Sequence, residues 1–95
     1  AWSREADFEA GRYRPPVRAR MRGAVGPDGR ILAWDARIAV PSVGPSFMGR
    51  TMPALAGEDG PNAQAIEGAD SIPYAVPAFR AVHVPVPQPV PLGYW

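Results

Sequence analysis

Apolar and basic side chains alternate from Val17 to Val25. In an extended chain Val17, Ala19, Met21, Gly23 and Val25 fall on one face, and Arg18, Arg20 and Arg22 on the other. Gly26-Pro27-Asp28-Gly29 follows, a cluster of turn formers. A second apolar-rich run, Arg30 to Val40, puts Leu32, Trp34, Ala36, Ile38 and Val40 on one face and Ile31, Ala33, Asp35, Arg37 and Ala39 on the other. Strand, turn and strand predict an antiparallel hairpin over 17–40. Asp35 and Arg37 are placed to pair with the arginines of the first strand across the ladder.

The rest of the pattern is shorter. Ser3 caps a predicted helix over 4–10, with Glu5 in its first turn, Gly11 after its end, and Trp2 and Phe8 as the groups to bury. Tyr13-Arg14-Pro15-Pro16 leads extended into the hairpin, because a residue before proline avoids helical geometry. Residues 41–61 are broken by Pro41, Gly44, Pro45, Gly49, Pro53, Gly57, Gly60 and Pro61, which predicts a long loop. Its apolar residues Phe47, Met48, Met52 and Leu55 then lack an element to belong to. Asn62 caps a short helix to Glu67, ended by Gly68. Phe79 to Val84 alternates again and predicts a third strand. In the tail, 85–95, every second residue from Pro85 to Pro91 is proline, which fits an edge strand or a polyproline II segment.

The fold class expected is α+β: a small, mostly antiparallel sheet of about three strands, with one or two short helices on one face, as a two-layer sandwich. The whole chain, 1–95, reads as one partial domain. Its expected core is Phe8, Val17, Met21, Val25, Leu32, Trp34, Ile38, Phe79 and Val82.

Composition narrows the functional classes. With no cysteine, disulfides and thiolate-held metals are excluded. A formal net charge of +1 argues against a strongly electrostatic partner, and all ten basic residues are arginine. No apolar run approaches the roughly 18 residues of a transmembrane helix, so direct membrane insertion is not expected. Thirteen prolines in 95 residues, against a usual share of about 5%, lower the ceiling on regular structure.

No catalytic constellation is complete. Serine, histidine and aspartate do not occur in triad order, and there is no phosphate loop or glycine fingerprint. His83 is the lone histidine and reads as a strand residue at a sheet surface. Glu58 and Asp59 are adjacent and so point apart, and Glu67 and Asp70 read as solvated loop acids. No catalytic residue and no metal ligand is expected. Two binding readings compete. Pro85, Pro87, Pro89 and Pro91 suit a small proline-rich interaction module. Arg18, Arg20 and Arg22 suit an anionic or nucleic-acid surface, but no aromatic group is interleaved for stacking, so the plain reading is a solvated sheet face and no nucleic-acid partner is expected.

Four stretches, in order along nearly the whole chain, resemble one family. Trp2-Ser3-Arg4-Glu5-Ala6-Asp7 with Tyr13-Arg14-Pro15 resembles the "W-T-R-E-x-D" and "Y-R-P" pattern of the large subunits of molybdenum hydroxylases. Asp28-Gly29-Arg30-Ile31-Leu32-Ala33 resembles their "D-G-x-I-x-A" hairpin. Ala65-Ile66-Glu67-Gly68-Ala69 with Ile72-Pro73-Tyr74-Ala75-Val76-Pro77 resembles "V-E-G-A…L-P-Y-x-I-P". Val90-Pro91-Leu92-Gly93-Tyr94-Trp95 is similar to "V-P-V-G-x-W". Within the wider aldehyde oxidase and xanthine dehydrogenase family, the pattern is most similar to the beta subunits related to isoquinoline 1-oxidoreductase and to membrane-associated aldehyde dehydrogenases.

The resemblance implies a bacterial oxidoreductase that hydroxylates aldehydes or N-heterocycles such as isoquinoline with oxygen from water. It implies a molybdopterin cytosine dinucleotide cofactor, an iron–sulfur small subunit as partner, and a cytoplasmic or periplasmic site, with membrane association through partners. It places Gly93, Tyr94 and Trp95 near the molybdenum centre and Glu67 at the substrate pocket. Where the xanthine dehydrogenase branch has an arginine, this chain has Gly68 beside Glu67. The family's glycine-rich cofactor loops and its catalytic glutamate have no counterpart in the chain. The expectation is therefore a fragment of such a subunit, inactive alone and packed in life against the remainder of the large subunit.

Overall fold

Alternation becomes a hairpin as expected. The computed structural model, which describes every residue except 58, 59, 94 and 95, pairs β1 (Arg18–Val25) antiparallel with β2 (Ile31–Ala39). The Gly29 N–H donates to the Gly26 carbonyl at 3.0 Å, and the Gly26 N–H donates to the Arg30 carbonyl at 2.9 Å. Asp28 Oδ1 accepts from the Arg30 N–H at 3.2 Å. Gly29 sits at φ 81°, in the left-handed region, with open space where a Cβ would stand. Gly29→Ala is therefore expected to cost about 1 kcal/mol from backbone conformation alone, with Gly29→Asn milder. Urea midpoints of the two variants check this.

β3 (Ala78–Val84) joins β2, so the order is β1-β2-β3 and the fold is α+β. The β2–β3 pair is parallel, with Ala36 opposite Ala81 and Ile38 opposite His83. A parallel pair needs a long crossover, and residues 40–77 supply it. That segment is not the expected loop. It contains α2 (Val43–Thr51) and two short 3-10 turns, Pro53–Leu55 and Ala63–Ile66. Pro45 does not break α2 because it falls in the first turn, where its missing N–H has no helical partner to lose.

The predicted helix α1 (Arg4–Ala10) is present, and Ser3 Oγ accepts from the Ala6 N–H at 3.2 Å. A hydrogen bond from its own backbone, then the Ser3 hydroxyl, hold the Glu5 carboxyl below the usual glutamate range. The helix buries none of its residues. Trp2 is 76% exposed and Phe8 68%, so neither is core. Phe8 instead stacks under the Arg4 guanidinium, 5.1 Å from its ring centroid.

The core lies at one end of the sheet and is smaller than expected. Ile38, Val40 and Ile66 form it, with Ala65, Ala69 and Ala81 against them. Here the 3-10 turn 63–66 covers the apolar sheet face, with Asn62 accepting from the Gln64 N–H at 2.9 Å as its cap. Of the other expected core residues, Val17, Met21, Val25, Leu32 and Phe79 are exposed, and Trp34 and Val82 are half-buried. Alternation sorts the faces within each strand, but Val82 stands opposite Arg37 on the charged face, and among the described residues most of the apolar face is left exposed. The dimensions agree. The radius of gyration is 17.5 Å, against about 12 Å for a compact chain of this length. The accessible surface is 7271 Å², against roughly 5,300 Å² for a compact protein of this mass.

The opposite face is charged. Register puts Arg18, Arg20, Arg22, Asp35, Arg37 and Arg80 together on it. Asp35 stands opposite Arg22 but approaches Arg80, at 3.9 Å from its Nε, and Arg37 stands opposite Arg20, a like charge. The expected pairing of Asp35 and Arg37 with the first strand is therefore not made.

Candidate functional site

Three separate stretches of backbone meet at His83. Its Nδ1 accepts from the Asn62 N–H at 2.9 Å, and its Nε2 lies 2.8 Å from the Val40 carbonyl. A carbonyl only accepts, so the ring proton sits on Nε2. The side chain is 5% exposed. The expectation of a surface histidine is thus corrected: His83 ties β3 to the end of β2 and to the cap of the 63–66 turn. Val40 N–H donates to the Val84 carbonyl at 3.2 Å and extends the same seam.

The tail is held with comparable care. Leu92 is 1% exposed and forms an isolated parallel bridge with Tyr13. Its N–H donates to Ser46 Oγ at 3.2 Å, and its carbonyl accepts from the Arg50 guanidinium. Arg50 also donates to Ser46 Oγ at 3.1 Å, so one turn of α2 clamps both polar groups of Leu92. Prolines 85–91 cross between β3 and this clamp outside the sheet. Gly93 follows, buried, where a Cβ would overlap the Arg12 side chain. Only glycine fits that approach. Arg12 in turn lies 5.5 Å from the Phe47 ring centroid.

Between these two anchored points lies a cleft of about 810 Å³. Arg14, Pro15 and Val17, the chain from Val40 to Gly44 except Ser42, the 62–67 turn through Asn62, Gln64, Ala65 and Glu67, and Gly93 line it. Two of the expected site residues, Glu67 and Gly93, therefore share one cleft. Tyr94 and Trp95 lie outside the described residues. Arg14, which belongs to the Tyr13-Arg14-Pro15 motif, and Asn62 and Gln64 add a cation and two amides that were not expected as site residues. His83, which braces the cleft through Val40 and Asn62, was also missed. A lone histidine inside an apolar strand was the signal that could have marked it.

The cleft does not by itself make a molybdopterin cytosine dinucleotide site. It offers one guanidinium and two amides, and no glycine-rich loop to wrap phosphates. Among the described residues no cluster of metal-ligating side chains occurs, and no helix is long and apolar enough to cross a membrane. The residues fit one wall of a larger site, not the whole of it. No protein-family model, curated protein or solved structure matches the chain.

Proposed function

We propose that this chain is part of the molybdopterin-binding subunit of an oxidoreductase that hydroxylates aldehydes or N-heterocycles with oxygen from water, and that it contributes one wall of the substrate pocket. The observation that carries the reading is the cleft. Two motifs that resemble the family at distant points in the chain, around Glu67 and around Gly93, come to a single concave surface. Gly93 abuts the Arg12 side chain, and its neighbour Leu92 is held by Ser46 and Arg50 of α2 and by Tyr13, which suits a segment that must keep its place beside a bound group.

In this role Glu67 and Arg14 orient polar substrate atoms, Asn62 and Gln64 offer amide donors and acceptors, and the Leu92 clamp holds Gly93 in place at the cleft. The exposed apolar sheet face and the exposed Trp2 and Phe8 then pack against the remainder of the subunit. The test is purification, from the source cells, of whatever assembly contains this chain. Molybdenum is measured by mass spectrometry and cytidine monophosphate after acid hydrolysis. Molybdenum and the nucleotide in equal amounts, about one per chain, are expected. An assembly that contains the chain and neither of them would overturn the reading.

A further inference from the structure

One edge of the sheet is unusually open. β1 is a terminal strand, every one of its eight residues is exposed, and among the described residues no strand pairs with its outer side. The opposite edge, β3, is bracketed by Pro77 and Pro85, which cannot donate to a ladder. β1 has no proline within it, and its one irregularity falls at Ala24/Val25, next to the turn. Long open edges recruit other strands unless something prevents it.

The side chains along β1 define what they would recruit. Arg18, Arg20 and Arg22 project at alternate positions, roughly 6.6 Å apart. Arg37 and Arg80 from the neighbouring strands add to the same face, where Asp35 is the one acid. Arg20, Arg22, Arg37 and Arg80 ring a small hollow of about 170 Å³, and Asp35 Oδ1 in it has no hydrogen-bond partner. On the other face of β1 stand Ala19, Met21, Gly23 and Val25. A strand added alongside repeats the same spacing, so its acids would meet the arginines while its apolar residues extend the Met21 face.

We propose that the outer edge of β1 is the docking site for an extended segment of a partner polypeptide, with Asp or Glu at alternate positions and apolar residues between them. The proposal rests on the sheet alone and stands or falls apart from the oxidoreductase reading. A second copy of this chain fits poorly, because pairing β1 with β1 sets arginine against arginine. A nucleic acid fits less well than a polypeptide, because alanine and valine, not aromatic rings, separate the arginines of this face.

The test uses the full chain, labelled with nitrogen-15, and a synthetic eight-residue peptide alternating glutamate with valine. Binding should protect alternate amides within Arg18–Val25 from exchange. A peptide of the same composition in blocked order should bind about tenfold more weakly, since it cannot match the alternation. The double variant R18E/R20E keeps the fold, as it places Glu beside Arg37, and should switch preference to a lysine–valine peptide. Equal binding of both glutamate peptides, or no protection of β1 amides, would overturn the proposal. So would tighter binding of an oligothymidylate, or self-association through the same edge.

Discussion

Replacing His83 with phenylalanine is expected to cost about 2–4 kcal/mol. A flat aromatic ring is kept, so most of the loss comes from the two hydrogen bonds, with a smaller part from fitting the bulkier phenyl ring. The Asn62 N–H and the Val40 carbonyl, 2.9 and 2.8 Å from the imidazole, lose their partner; the buried Val40 carbonyl costs roughly 1–3 kcal/mol and the half-buried Asn62 N–H, which water reaches, about 1. A chain of this size holds about 5–14 kcal/mol at the average of roughly 0.05–0.15 kcal/mol per residue. Its core of Ile38, Val40 and Ile66 argues for the low end. Urea unfolding followed by far-ultraviolet circular dichroism gives the number. A loss below about 1 kcal/mol would mean that water replaces the ring in both contacts.

Leu92→Ala is expected to cost about 2–4 kcal/mol, in the range for a fully buried leucine, and to act locally before it acts globally. Leu92 is the most completely buried large side chain among the described residues. Its backbone holds the Tyr13 bridge and the Ser46 and Arg50 contacts, so freeing the side chain loosens the rim of the cleft. Hydrogen exchange should rise first at Leu92, Gly93 and Tyr13, while the β1–β2 amides stay protected. If exchange rises evenly across the sheet, the tail is part of one cooperative unit with it.

These two residues show where reading the sequence stopped. The hairpin, α1 and the 63–66 turn were legible because each carries a local signature: alternation with a glycine-proline turn, Ser3 with Gly11, Asn62 with Gly68. Which side chains share a face was also legible, because alternation decides it. Whether a face is covered was not. Met21, Val25 and Phe79 have the periodicity of core residues, yet among the described residues they stay exposed. α2 was missed because Gly44, Pro45 and Gly49 count as breakers by composition, while their effect depends on position in the helix. His83 reads as a surface residue in the sequence because its partners, the Val40 carbonyl and the Asn62 N–H, are backbone groups, and backbone groups leave no mark in a sequence. The meeting of Glu67 with Gly93 depends on the parallel return of β3 and on the clamp at Leu92, neither of which spacing reveals.

The parallel pairing of β3 also sets an order of events. The hairpin closes across four turn residues and needs nothing else, so it can form in microseconds. β3 reaches β2 only after residues 40–77 have been gathered in, and closing a loop of that length costs on the order of 3 kcal/mol before any β2–β3 contact returns it. Until then β2 is an open edge as well as β1, and the arginine row of β1 is the charge that keeps two half-formed chains from zipping together. Because Val40 precedes His83 in the chain, a hairpin formed first would keep that β2 edge open until the His83 seam closes.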